Sequence, residues 1–128
     1  MTDEGASIHP NALPNYEKAV IPPAKLEKYA LNLRHVSRAW GKSSGSDKAR
    51  VFKSVLGFDQ SNWELLRDQI LEKLPYYEAI LGEEDEYGKR YTVTLPITGA
   101  NGNTVNVLTG WIILRETDYP SLTTAFCQ

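Results

Sequence analysis

Proton transfer near neutral pH is work for an imidazole, and the chain holds two, His9 and His35. His35 lies near the start of the stretch RHVSRAWGKSSGS (34–46), rich in serine, glycine and basic side chains and without a repeat at 2 or 3.6 residues, so an exposed loop is predicted there. At the far end of that loop Lys48 and Arg50 fall in the first turn of a predicted helix, beside backbone N–H groups that favour an anion. A phosphodiester suits such a place. Cutting RNA without a metal takes three groups: one to accept the 2'-hydroxyl proton, one to protonate the leaving oxygen, and positive charge on the phosphorane. His35, Lys48 and Arg50 are the side chains that could supply them. Thr124 and Thr109 offer hydroxyl donors, Arg34, Arg38, Lys42 and Thr123 offer substrate contacts, and Trp111 offers a ring on which a base could stack.

Each of these has a plainer alternative. His35 reads equally as a loop histidine bonded to a carbonyl, Trp111 as core, and the three threonines as ordinary sheet residues. Thr109 and Trp111 share one face of their strand by period-2 alternation, yet neither face of 105–114 is clearly polar, so the pattern does not say which face the helices cover. Other chemistries lose ground by their missing signatures. No HExxH or Cys/His spacing suggests a metal, and GxxxxGK[ST], GxGxxG and GxSxG are absent, so neither metal nor cofactor is expected. Cys127 is the single cysteine, which rules out an intramolecular disulfide and reads best as a strand residue.

The elements that must position these groups fall in two blocks. A first helix is predicted from Pro23, with Leu26, Tyr29, Ala30 and Leu33 at helical spacing. A second runs from Asp47 to Leu56 behind a Ser46 cap, with Ala49, Phe52, Val55 and Leu56 as its apolar stripe and Gly57 as its stop. A third has Ser61 or Asn62 as cap, Trp63, Leu66, Ile70 and Leu74 facing inward, and Pro75 at its end. Four strands rich in β-branched and aromatic residues follow, at 77–81, 90–98, 104–115 and 122–126. Asn101-Gly102 predicts a tight hairpin between the middle two. Helices followed by neighbouring strands give an α+β fold, N-terminal helices packed on a twisted antiparallel sheet of about four strands.

The chain has 128 residues, 41% of them hydrophobic and 23% charged, which suits one globular domain. Residues 1–20, in a proline-rich and aperiodic start, are expected to be a flexible tail or linker, and 21–128 the domain. No stretch approaches a membrane span, and the start lacks the features of a signal peptide. The net charge is -2, but its distribution is uneven. Between Lys25 and Lys53 eight basic residues face two acidic ones, while Glu83, Glu84, Asp85 and Glu86 form an acidic counterweight.

The segments IPPAKLEKYALN, DKARVFKSVLGFDQSNWELLRDQI, YGKRYTVTLPITGANGNTVNVLTGWII and PSLTTAF resemble the C-terminal toxin domains of bacterial polymorphic and contact-dependent growth inhibition toxins. The likeness runs from about Val20 to Phe126. The layout is similar to the barnase/EndoU/colicin/RelE class of ribonucleases. What the resemblance implies is a metal-independent endoribonuclease, of the tRNA-cleaving kind, that leaves a cyclic phosphate. It further implies delivery from the cell surface as part of a larger toxin, action in the cytoplasm of a target bacterium, and neutralisation by a cognate immunity protein. Carried over by position, His35, Lys48, Arg50, Thr109, Trp111 and Thr124 are the site residues. The connection after His35 departs from the class in lacking a following proline and in its extra basic residues, which assigns Arg38, Trp40 and Lys42 to a loop that grips RNA. The competing reading is a non-catalytic module that binds RNA or protein through the basic 34–53 segment.

Overall fold

A computed structural model describes residues 7–26 and 50–128. The four strands are β1 (Ala79–Glu84), β2 (Gly88–Thr98), β3 (Thr104–Leu114) and β4 (Ser121–Cys127), paired antiparallel in the order β1-β2-β3-β4. β2 and β3 pair without interruption from Gly88 opposite Leu114 to Thr98 opposite Thr104. The Asn-Gly hairpin forms as expected: Gly102 takes φ 89°, a left-handed value that glycine adopts without strain, and the Gly99 N–H donates to the Asn103 carbonyl at 2.7 Å. The α+β arrangement read from the sequence is the one found.

The α-helix α1 (Trp63–Lys73) lies against the sheet. Its Leu66 and Ile70, with Leu74 in the following short turn, are fully buried and join Val93, Leu95, Ile97 and Val107 in one core. Burying each such side chain contributes about 1.5–3 kcal/mol relative to leaving it in water. Asn62 does precede the helix, but its side chain does not cap it. The amide instead accepts from the Asp59 N–H at 2.8 Å and donates to the Gly57 carbonyl at 3.0 Å, which ties the loop before α1 to the end of the preceding helix. That preceding helix is helical at 50–51 and widens into a π-type turn over Phe52–Leu56, ended by Gly57 at φ 76°. Phe52 and Leu56 point into the core. The first predicted helix begins at 23 as expected, and its later residues lie outside the described range.

β1 reaches only as far along β2 as Val93, which leaves the outward backbone of Pro96 and Thr98 without a strand partner. α1 supplies one. The Gln69 amide accepts from the Thr98 N–H at 3.0 Å and donates to the Thr98 carbonyl, and the Lys73 ammonium donates to the Pro96 carbonyl. Pro96 fits here because its missing N–H lies on the side where no strand runs.

Residues 7–20 depart from the expected tail. Leu13 is fully buried, the His9 N–H donates to the Pro75 carbonyl, and Val20 bridges Ser121 in parallel, with the Leu122 N–H donating to the Val20 carbonyl at 3.0 Å. The segment lies along the body through turns at 10–11 and 14–15 and a 3-10 turn over Tyr16–Lys18, so the domain begins well before residue 21.

Candidate functional site

Alternation along the strands divides the candidate residues between the two faces of the sheet. Val93, Leu95, Ile97, Val107, Thr109 and Trp111 stand on the face packed by α1, and the register places Ala125 and Leu122 of β4 on the same side. Thr109 is fully buried and Trp111 is 1% exposed. The Trp111 Nε1–H donates to the Thr109 hydroxyl oxygen at 2.8 Å, and that hydroxyl donates to the Val93 carbonyl at 2.7 Å. These two residues form a closed polar chain that satisfies an indole N–H inside an apolar core. The expected catalytic role of Thr109 and the stacking role of Trp111 are therefore corrected: neither reaches solvent, and their polar atoms are already engaged with each other.

Thr124 stands on the opposite face. It pairs with Gly110, while Leu122 pairs with Trp111, so Thr123 is an extra residue that forms a bulge in β4. A Cβ placed on Gly110 would come within 2.9 Å of the Thr124 Cγ2 and 3.1 Å of the Thr123 Oγ1, so both threonine side chains gather over the bare glycine. Across the sheet the same row continues through Thr92 of β2 to Ile80 of β1. The next row carries Thr94, Leu108 and Phe126. The result is a half-buried surface of hydroxyls and aliphatic side chains on the face away from α1, with Arg90 and Ile112 on the row beyond. Thr92, Thr94 and the glycine beneath the pair were not singled out from the sequence; the signal that finds them is the cross-strand register, which a single strand does not display.

Arg50 is exposed and begins the described part of the second helix, whose far end is held at the β2–β3 hairpin. There the Val55 carbonyl accepts from the side-chain amides of Asn101 and Asn103 at 3.0 and 3.1 Å, and the Leu56 carbonyl accepts from the Asn101 N–H. His35, Lys48, Arg34, Arg38 and Lys42 lie outside the described residues. Of the assigned residues the structure thus brings Thr123 and Thr124 together and sets Thr109 and Trp111 apart from them, across the sheet.

The profile of a domain of unknown function, DUF6883, matches residues 12–128. The chain belongs to the DUF6883 family. Its match starts at residue 12, inside the segment expected as tail, in agreement with the burial of Leu13. No curated protein and no solved structure matches the chain. Family membership gives the extent of the domain and assigns it no chemistry.

Among the described residues no three histidine, cysteine or acidic side chains gather as metal ligands, and no helix is long and apolar enough to cross a membrane. Burial pushes the Cys127 thiol up to about 11, which keeps it protonated at neutral pH. The shifted carboxylates are surface turn elements. Asp59 is held below the usual carboxylate range first by the Ser61 hydroxyl and then by the Ser61 N–H, and Asp85 by the N–H groups of Tyr87 and Gly88.

Proposed function

We propose that this DUF6883 domain is a metal-independent endoribonuclease, the toxin module of a larger protein used between competing bacteria and neutralised by a cognate immunity protein, with tRNA as its substrate class. The observation that carries the reading is the Thr123–Thr124 pair, re-aimed by a bulge over Gly110 on the sheet face away from α1. Bulges recur beside active sites because they redirect a side chain that regular pairing would fix elsewhere. The second support is the basic stretch Lys25 to Lys53, whose charge suits a phosphodiester backbone.

In this reading His35 accepts the proton of the ribose 2'-hydroxyl, whose oxygen attacks the adjacent phosphorus. The bond to the 5'-oxygen breaks, that oxygen takes a proton from a second acid, and a 2',3'-cyclic phosphate remains. Lys48 and Arg50 balance the charge of the phosphorane, and Thr124 donates a hydrogen bond to one of its oxygens. Thr123, Arg34, Arg38 and Lys42 hold the flanking backbone. With Thr109 and Trp111 in the core, the hydroxyls assigned to the reaction are those of Thr123 and Thr124 on β4.

The test is induction of the full chain in bacteria, followed by analysis of total RNA. Discrete fragments with cyclic-phosphate ends, formed equally in the presence of a chelator, are expected for the wild type, and their loss is expected for His35→Ala, Lys48→Ala and Thr124→Val. Intact RNA from arrested cells removes the nuclease. Retarded migration of tRNA without cleavage would favour the non-catalytic binding module.

A further inference from the structure

The opposite end of the sheet from β4 carries features of a different kind. β1 is the edge strand, and its pairing settles which of its backbone groups face outward. The Ala79 N–H donates to the Asn11 carbonyl at 2.8 Å, away from β2. Backbone groups in an antiparallel strand alternate in direction, so Ile80 bonds toward Thr92 of β2 while the N–H and carbonyl of Leu81 face outward like those of Ala79. The N-terminal segment thus covers the start of this edge, and among the described residues none continues the pairing to Leu81. Leu81 and its neighbour also leave apolar side chains in water, with Ile80 59% and Leu81 50% exposed.

Charge decides what fits there. Glu78 just before β1, Glu83 and Glu84 on it and Glu86 in the turn after it are exposed, and none is in an ion pair with a described cation. Two copies of β1 laid side by side would bring both sets of carboxylates together, and the irregular pairing between Leu81 and Glu84 further spoils a flat self-match. A strand that alternates aliphatic with lysine or arginine side chains meets neither obstacle. An RNA backbone would meet the same carboxylates as a second copy does.

We infer that the β1 edge is a docking site for an extended, cationic segment of a partner protein, which adds to the sheet beside Leu81 and pairs its basic side chains with Glu83 and Glu84. Main-chain bonds supply the attachment and the alternating side chains supply the choice of partner. The site stands apart from the Thr123–Thr124 surface, at the other edge of the sheet, and does not depend on the nuclease reading.

Two synthetic peptides test it against the full chain: one alternating valine with lysine, the other valine with glutamate. The lysine peptide is expected to bind and to slow hydrogen exchange at the Leu81 amide, and the glutamate peptide to do neither. Leu81→Pro removes the outward N–H while leaving the bonds to β2 in place, and should weaken binding about tenfold, whereas Leu81→Thr, which keeps the donor, should lose less. Glu83→Lys with Glu84→Lys should transfer the preference to the glutamate peptide. Equal binding of both peptides, unchanged exchange at Leu81, or undiminished binding by a folded Leu81→Pro variant would overturn the proposal. So would concentration-dependent dimerisation that protects the Leu81 amide, which would assign the edge to a second copy.

Discussion

Replacing Thr109 by valine keeps the shape of the side chain and deletes its hydroxyl, a change whose consequence follows from two distances. The hydroxyl oxygen accepts from the Trp111 Nε1–H at 2.8 Å and donates to the Val93 carbonyl at 2.7 Å, all within the core. Val93 and Thr109 are directly opposed in the ladder, so the Val93 carbonyl keeps a backbone donor, while the indole N–H is left with no acceptor. A buried unsatisfied donor costs about 1–3 kcal/mol, and the lost bond to Val93 adds about 0.5–1.5 kcal/mol. A loss of about 3 kcal/mol is expected, near 10 °C in Tm for a domain of this size. Trp111→Phe in the valine background removes the orphaned N–H, so the two changes should be less than additive by about 1–2 kcal/mol. Urea unfolding of the four proteins of this cycle measures both quantities, and RNA cleavage by the folded fraction measures the rest. A Thr109→Val protein as stable as wild type, or additive losses, would refute the closed polar chain. Lost cleavage at undiminished stability would return Thr109 to the site.

Further expectations concern the rest of the molecule. Gly110→Ala would force its methyl against Thr123 and Thr124, so it should reduce RNA cleavage more than tenfold at a stability change of about 1–2 kcal/mol, read by paired activity and melting measurements. Gln69→Ala removes both bonds to Thr98 and should lower stability by about 1 kcal/mol while speeding hydrogen exchange at the Thr98 amide. Asp59 has a depressed folded pKa, so its stabilising contribution is complete above the unfolded value, about 4, and disappears as pH falls through the folded one. Asp59→Asn should therefore be less stable than wild type at pH 7, with the difference closing in acid unfolding curves. Cys127, with its thiol pushed up to about 11, should react with a disulfide reagent at pH 8 more slowly in the folded chain than after denaturation.

The sequence displayed those parts of the fold that rest on local pattern. Leu66, Ile70 and Leu74 recur at helical spacing because one side of α1 is apolar, and Asn101-Gly102 marks the hairpin because Gly102 takes a left-handed φ that few other residues accept. The side of the sheet that α1 covers was hidden for a physical reason. β3 carries Leu108 and Ile112 on one face and Thr109 on the other, so polarity points the wrong way: the buried threonine is satisfied by Trp111 and Val93, and the aliphatic pair is half-buried on the far side. Residues 7–20 resemble a linker because of their prolines, whereas what anchors them is the single buried Leu13, too isolated to make a pattern, and backbone pairing by His9, Asn11 and Val20, to which side-chain pattern is blind. The bulge at Thr123 was equally hidden, since it arises from the match of β4 to β3.

The seating of Gln69 and Lys73 on the margin of β2 has an implication for how the chain finds its register. Sliding β1 two residues toward the hairpin would bring Glu78 opposite Pro96, which has no N–H and whose carbonyl Lys73 already occupies, and a longer slide would meet the Thr98 groups held by Gln69. The helix is thus a doorstop as well as a cover: once docked, it leaves β1 one length of β2 to pair with and shuts out the slipped alignment. Lengthening the connection at residues 75–78 should then enlarge that loop while the strand keeps its place.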